Sequence, residues 1–227
     1  ITLHISNTFD AAGNAQLPFT LSSNLEIDTK NPSVDSYISS SLVVNEDMAG
    51  SGMFSIHVSF DEAMDFTATP VIQLTGSPNP ATTLNLNTAL SGWVSTTDYT
   101  AYYDVTDANQ AAAAISVSSV QAKDLNGNTQ VTYTVSDAFV VDTDNPTLVS
   151  GDINDTMIAD VNVGQGTIVF SLEFSEPMEP TLIPQLQFTG NDPSQTLTFN
   201  DAESGWTELN LFEAVYDVAD ADIELSG

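Results

Sequence analysis

The two halves of the chain repeat one sequence pattern at a separation of 114 residues. Asp10-Ala11-Ala12-Gly13-Asn14 returns as Asp124-Leu125-Asn126-Gly127-Asn128, and the copies align without a gap from Asp10 to Met64. After a one-residue slip, Ser91-Gly92-Trp93 returns as Ser204-Gly205-Trp206. A period of this length predicts tandem modules of about 110 residues, each large enough to bury a core of its own.

Within one period the apolar residues alternate, which is typical of β-strands. In the run Phe54-Ser55-Ile56-His57-Val58-Ser59-Phe60, every second side chain is apolar. Gly, Pro, Asn and Asp separate the runs. Seven predicted strands follow, A to G, near residues 33–44, 52–61, 70–76, 82–88, 93–105, 113–122 and 130–141. Seven short strands in about 110 residues predict an all-β fold of immunoglobulin-like (Ig-like) sandwiches, joined end to end by a short connector near Val141–Pro146.

Several motifs of the repeat also resemble a known family. They are Phe60-x-Glu62-x-Met64, Ser91-Gly92-Trp93, Tyr103-x-Val105-x-Asp107, Asp124-x-x-Gly127-Asn128 and Val141-Asp142-Thr143-x-Asn145-Pro146. Together they resemble the bacterial Ig-like repeats of giant surface adhesins, over essentially the whole chain. The resemblance implies secreted tandem sandwiches, stiffened by calcium, that hold a terminal binding domain away from the cell.

The repeat also sets the expected module boundaries. Residues 1–27 match 115–141 and are predicted to be the F–G hairpin of a preceding module. Residues 28–141 form a complete module, and residues 142–227 form a module that lacks its last two strands. The alternating apolar residues of 1–25 predict a hairpin that packs as strands F and G of a sandwich whose other strands lie outside this chain. Two alternatives remain: a window from a longer array of adjacent repeats, or neighbouring copies joined through the hairpin.

The charge balance is strongly acidic, with 31 Asp and Glu against two lysines and a formal net charge of −29. Such a field repels nucleic acid and anionic membrane surfaces. The chain has no cysteine, which excludes disulfides and thiolate metal sites. No apolar run approaches the ~20 residues of a membrane span. Many of the acids serve solubility, but acids that recur at matching loop positions favour a second interpretation, which is binding of hard cations.

The predicted fold gathers acids at the two ends of each module. The BC loop, the FG loop and the entering linker share one end and bring together Asp28, Asp61, Glu62, Asp65, Asp124 and Asn126. The corresponding residues of the second copy are Asp142, Glu176 and Glu179. The opposite end presents Asp104 and Asp107 of the EF loop. Carboxylates from separate loops suit Ca²⁺, which takes six to eight oxygen ligands in flexible geometry. For Asn126 and Gly127 a plain tight turn is the favoured interpretation.

The sequence offers little for catalysis. Neither His4 nor His57 recurs in the other copy, and no nucleophile elbow or phosphate-binding glycine loop is present. Trp93 and Tyr103, with their repeats Trp206 and Tyr216, are expected in the core rather than as sugar-stacking platforms. We therefore expect a non-enzymatic, extracellular extender segment of a large bacterial surface or secreted adhesin, with Ca²⁺ at the module junctions. The alternative is a carbohydrate- or protein-binding β-sandwich.

Overall fold

The computed structural model describes residues 1–23 and 25–225, and strands dominate this part of the chain. The prediction of an all-β protein is confirmed. The chain divides into two units, Ile1–Asp144 and Asn145–Gly227. Residue 24 of the predicted hairpin, and residues 226 and 227 of the predicted second module, lie outside the described residues. The described part contains no helix long and apolar enough to span a membrane.

The first unit begins with an isolated hairpin. Strands β1 (Thr2–Ile5) and β2 (Phe19–Ser22) pair antiparallel, with Leu3 opposite Leu21. The two strands form a separate two-stranded sheet. The apolar side chains of both strands are exposed.

The rest of the first unit is a β-sandwich. Its strands are β3 (Val34–Ser39), β4 (Val43–Val44), β5 (Gly50–Phe60), β6 (Val71–Thr75), β7 (Leu84–Leu86), β8 (Gly92–Trp93), β9 (Asp98–Val105), β10 (Ala111–Val120) and β11 (Tyr133–Asp142). One sheet has the order β3-β5-β9-β7, with β8 also paired to β9; the other has the order β4-β11-β10-β6. Predicted strand A corresponds to β3 and β4, strand B to β5, strand C to β6 and strand D to β7. Predicted strand E corresponds to β8 and β9, strand F to β10 and strand G to β11. This division between the two sheets is that of Ig-like sandwiches.

The core of the sandwich lies between the two sheets. Phe54 of β5 contacts Phe139 of β11 with ring centroids 4.7 Å apart. Ile56 of β5 and Ile115 of β10 are fully buried in the same cluster. These residues come from the alternating positions of the sequence, because successive side chains of a strand point to opposite faces of its sheet.

The second unit repeats one of these sheets. Strands β12 (Leu148–Ile153) and β13 (Gly164–Phe174) reproduce the bounds of β3 and β5 at an offset of 114, whereas β14 (Leu197–Phe199), β15 (Gly205–Trp206) and β16 (Leu211–Val218) reproduce β7, β8 and β9 at an offset of 113. The sheet order β12-β13-β16-β14, with β15 on β16, also repeats. The structure therefore shows the sequence repeat as a structural repeat.

Counterparts of β10 and β11 are absent from the described residues of the second unit. Residues 185–189, which correspond to β6, form no strand there. Among the described residues of the first unit β6 pairs only with β10, so this difference follows from the missing neighbour. Several side chains on the inner face of the sheet stay partly exposed, among them Phe170 and Leu172, although their counterparts Ile56 and Val58 are fully buried.

Candidate metal site

Three acidic side chains of the first unit meet at one end of its sandwich. Asp28 lies in the segment that enters β3, Glu62 follows β5, and Asp124 lies between β10 and β11. One carboxylate oxygen of each lies within 4.8 Å of the others. Asp124 is buried, and the other two are partly buried. This triad could hold a metal ion.

A tight local turn fixes the Asp124 carboxylate. Its Oδ1 atom accepts hydrogen bonds from the backbone N–H groups of Asn126 and Asn128, both at 2.8 Å. Its Oδ2 atom accepts one from Asn128 Nδ2 at 2.7 Å. Gly127 adopts a φ of 90°, which is open to glycine at no steric cost. A carboxylate offers about four lone-pair sites, so these three bonds leave one of them, on Oδ2, for a further ligand.

The same turn forms in the isolated hairpin. Asp10 Oδ1 accepts from the N–H groups of Ala12 and Asn14 at 2.9 and 2.8 Å, and Asn14 Nδ2 donates to Oδ2 at 2.7 Å. Gly13 has a φ of 88°. The turn geometry therefore comes from local hydrogen bonds and does not require the other two acids of the triad.

The turn also influences the ionisation of Asp124. Burial acts to raise the pKa of this carboxyl, but the hydrogen bonds from the Asn128 side chain and from the backbone of Asn128 and Asn126 outweigh it, so the pKa is lowered. The carboxylate is accordingly held in the charged form that a cation needs.

Asn126 connects two members of the triad. Its side-chain Nδ2 donates to Asp28 Oδ2 at 2.6 Å, while its backbone N–H binds Asp124. The other oxygen of Asp28, Oδ1, accepts from the N–H of Lys30 at 3.0 Å. Each oxygen of Asp28 thus retains a lone pair, and Asn126 acts through its donors to hold the two carboxylates close together.

Glu62 is the member of the triad whose carboxylate is least satisfied by hydrogen bonds. Its Oε1 atom is shielded from solvent and accepts no hydrogen bond of good geometry from the described residues. The Lys30 ammonium lies 3.3 Å away and forms an ion pair with it. Burial of an ionised oxygen with so little compensation is costly, and a bound cation would remove that cost.

Lys30 also binds Asp61, a further predicted site residue. Lys30 Nζ lies 2.7 Å from Asp61 Oδ2, and Ser33 donates its N–H to Asp61 Oδ1 at 2.8 Å. The Lys30 ammonium, together with the Ser33 N–H, lowers the pKa of Asp61 to about 2. Asp61 is therefore committed to an ion pair beside the triad.

The remaining predicted residues of the loops bind their own backbones. Asp65 Oδ1 accepts from the N–H and hydroxyl of Thr67 at 2.8 and 2.7 Å. In the second unit Glu179 Oε1 accepts from the same groups of Thr181, at 3.2 and 2.8 Å. These are short local turns that shape the loop after β5 and after β13.

Asp104 and Asp107 lie elsewhere in the first unit and are not part of the triad. Asp104 Oδ1 accepts from Ser51 Oγ and Gly52 N at 2.8 Å, and from Asn87 Nδ2 at 2.7 Å. Asp107 accepts from the N–H of Asn109 at 3.1 Å. The structure assigns Asp104 a structural role, because it connects β5, β9 and the loop after β7.

The predicted ligands of the second copy belong to different units. Asp142 ends β11 in the first unit, and its Oδ1 atom is buried. Glu176 follows β13 in the second unit. A second metal site that includes both remains a prediction.

Sequence reasoning missed two contributors to the site, Lys30 and Asn128. A signal was available for Lys30, since it is one of only two basic residues and lies two positions after Asp28. In the second copy Asp144 occupies its position, and Ser175 occupies that of Asp61. The ion pair beside the triad is therefore particular to the first copy.

No protein-family model matches the chain, and neither the curated proteins nor the solved structures include one that is significantly similar to it. The features of the molecule that bear on its function are therefore the repeat, the fold and the acidic triad.

Proposed function

We propose that the chain is a non-enzymatic extender segment of a large bacterial surface or secreted adhesin, stiffened by Ca²⁺. The observation that carries the proposal is the position of Asp28. This residue lies in the segment between β2 and β3, yet its carboxylate meets acids of two loops of the sandwich. A cation bound there joins the entering segment to the module, and a series of such modules forms a long spacer.

The geometry of the triad suits Ca²⁺. Two oxygens that ligate one Ca²⁺ at 2.3–2.6 Å lie no more than about 5 Å apart. The three carboxylate oxygens meet this condition at 4.8 Å or less. Asp28, Glu62 and Asp124 would supply three oxygens, and water and backbone carbonyls would complete a shell of six to eight. Bound Ca²⁺ would also neutralise carboxylates that one lysine cannot balance.

The test is a calcium titration of the 227-residue chain, followed by calorimetry and thermal unfolding. We expect a dissociation constant of about 10⁻⁴–10⁻³ M, the range of extracellular calcium modules. At a free Ca²⁺ concentration about 100 times that constant, binding to the folded state alone stabilises it by about 2.7 kcal/mol. An unfolding curve that is identical in excess Ca²⁺ and in excess chelator would contradict the proposal.

Two variants locate the site. Glu62→Gln should weaken the calcium-dependent shift of the unfolding midpoint, because it removes one of the three charges. Asp35→Asn is the matched control, since Asp35 is an exposed carboxyl of β3 outside the triad. A third variant, Lys30→Asp, introduces the residue type that the second copy has at this position, Asp144. In chelator it should unfold at a lower temperature than the natural chain, and Ca²⁺ should raise its unfolding temperature by a larger amount.

One observation bears on the alternative of a ligand-binding sandwich. Phe66 is exposed and lies against Trp93, with ring centroids 5.7 Å apart, and Pro180 occupies the corresponding position of the second copy. Trp93 and Trp206 nevertheless pack against equivalent cores in their units. Equivalent packing favours the extender. Binding of a glycan that Phe66→Ala abolishes would favour the alternative.

A further inference from the structure

Asn126 and Gly127 form the only Asn-Gly pair of the sequence. Both residues are exposed, in the turn between β10 and β11. The side-chain amide of an asparagine is open to attack by the backbone nitrogen of the next residue. The attack is fastest when that residue is glycine, because no Cβ shields the nitrogen. This pair therefore places a reactive amide beside an accessible backbone nitrogen.

The surroundings of Gly127 leave room for a ring to form. A Cβ built on this glycine would meet no atom within 4 Å. The peptide group after Asn126 must rotate before the ring can close, and this rotation opens the turn. The hydrogen bond that has to break, from the Gly127 N–H to Asp124 O, is long at 3.3 Å. A long hydrogen bond on an exposed turn opens at a small cost in free energy.

The Asn126 amide serves the contact with Asp28 and is not needed for the turn. In the equivalent turn at Asp10 the corresponding residue is Ala12, and the backbone of that turn makes the same hydrogen bonds. Asn126 Nδ2 donates to Asp28 Oδ2 at 2.6 Å, and a longer bond runs from Asn128 Nδ2 to Asp28 O at 3.4 Å. The amide of Asn126 is thus the shorter link between the entering segment and the turn.

We propose that Asn126 is a self-modification site, which loses its side-chain amide as ammonia through a cyclic imide with Gly127. The backbone nitrogen of Gly127 forms a bond to Asn126 Cγ, and the bond between Cγ and Nδ2 breaks. The proton of the Gly127 N–H passes through water to Nδ2, which leaves as ammonia. Water then opens the ring at one of its two carbonyl carbons and leaves an aspartate or an isoaspartate at position 126. Water is the only other reactant.

The modification reverses the contact with Asp28. A carboxylate at position 126 has no proton to donate, and it faces the Asp28 carboxylate, which the amide nitrogen approached to 2.6 Å. Asp28 Oδ2 then loses its donor and gains a like charge as its neighbour. The entering segment is therefore released from the turn unless a cation binds between the two carboxylates. That last consequence rests on the proposed calcium function, whereas the modification itself does not.

Peptide mass mapping of the folded chain, kept in warm and mildly alkaline buffer, tests the reaction. Asn128 is the internal control, because it lies in the same turn, its amide binds Asp124 at 2.7 Å, and the β-branched Thr129 follows it. Aspartate and isoaspartate should accumulate at position 126 at least about tenfold faster than at position 128. Asn126→Gln should stay unmodified, because its longer side chain would have to close a larger ring. Equal rates at the two positions, or an intact Asn126 after the other asparagines have reacted, would overturn the proposal.

Thermal unfolding of Asn126→Asp in chelator tests the consequence, because this variant reproduces one of the two products. Its unfolding temperature should lie about 2 °C or more below that of the natural chain. Leu125→Asp is the matched control: Leu125 is 71% exposed, so the substitution adds the same charge to the same turn and keeps the bond from Asn126 to Asp28. Equal effects of the two substitutions would show that the charge of the turn matters and the lost contact does not.

A calcium titration of the same variant separates this inference from the proposed function. Excess Ca²⁺ should raise the unfolding temperature of Asn126→Asp by more than that of the natural chain, because a fourth carboxylate stands beside the triad. Modification at position 126 without any response to Ca²⁺ would contradict the calcium proposal alone. A response to Ca²⁺ in a chain whose Asn126 stays intact would overturn the modification alone.

Discussion

Asp104 illustrates how a single carboxylate can organise a module without a metal. One of its oxygens receives hydrogen bonds from Asn87, Ser51 and Gly52, and together these lower the pKa of the group. In the second unit Asp217 receives the equivalent bonds from Gly166 and Asn200, both at 2.8 Å. An acid that recurs at a matching position can therefore serve the fold instead of a cation.

Asp61 provides a test at the same scale. Its pKa is lowered from 3.8 to about 2 by Lys30 and by Ser33. A carboxyl with a lowered pKa in the folded state stabilises the protein at pH values above its ordinary pKa, and this contribution disappears as the pH falls through the lowered value. Asp61→Asn should therefore lower the free energy of unfolding at pH 7 by on the order of 1 kcal/mol, the upper end for a solvent-accessible ion pair.

Urea unfolding of both proteins at several pH values checks this expectation. The difference between them should be full at pH 5, decrease between about pH 4 and pH 2, and vanish below about pH 2. A difference that stays constant over this range would show that Asp61 acts through packing and not through its charge.

At the scale of elements, a bulge near the start of β5 is the most specific shared feature. Regular pairing with β9 is interrupted between Gly50 and Phe54, and the counterpart in β13 is interrupted between Gly164 and Ile168. The glycine within the bulge has a positive φ in both units, 67° at Gly52 and 64° at Gly166. Because Asp104 and Asp217 bind the N–H groups of these glycines, each bulge is held by a specific side chain.

A substitution in the bulge should be costly. In Gly52→Ala the new Cβ would lie 2.5 Å from Leu90 Cδ1, at a φ that L-residues rarely adopt. We expect a loss of about 1–2 kcal/mol in the stability of the first unit, measured by denaturant unfolding. Gly92→Ala is the control, because its Cβ meets no atom within 4 Å, and it should change stability by less than about 0.5 kcal/mol. Equal effects of the two substitutions would contradict this account of the bulge.

At the scale of the whole molecule, the two units differ in how completely their cores are covered. The first has two facing sheets, and the described residues of the second have one. Since hydrophobic stabilisation depends on the apolar area removed from water, the second unit should be the less stable. This difference predicts two unfolding transitions in dilute solution.

A matched pair of substitutions assigns the two transitions. Phe54 and Ile168 occupy the same position of the repeat, and both are fully buried. Phe54→Ala should reduce the free energy of unfolding of the first unit by about 3–5 kcal/mol and shift only the transition at the higher temperature. Ile168→Ala should reduce that of the second unit by about 2–5 kcal/mol and shift only the transition at the lower temperature. Calorimetry resolves the two. A single transition that both variants shift equally would show that the units unfold together.

Local features of the molecule could be predicted from the sequence. Alternation in Phe54–Phe60 predicts β5, and the Asp-x-x-Gly-Asn pattern predicts a turn that forms alike at Asp10 and Asp124. These features depend on side-chain parity and on hydrogen bonds between residues at most four apart, which are the same wherever the segment lies. The sequence by itself therefore determined the repeat, the strands of the sheet that both units share, and the turns.

The tertiary structure decided which acids meet. Of the residues predicted as metal ligands, Asp28, Glu62 and Asp124 converge, although they are separated by 34 and 62 residues. Spacing alone could not distinguish Glu62 from its neighbour Asp61, whose carboxylate is bound by Lys30 and Ser33 and lies outside the triad. It also could not show that Leu3 is exposed while Val117, in the same pattern, is buried. Convergence and burial depend on what packs against a segment, and that is a property of the folded chain rather than of the segment.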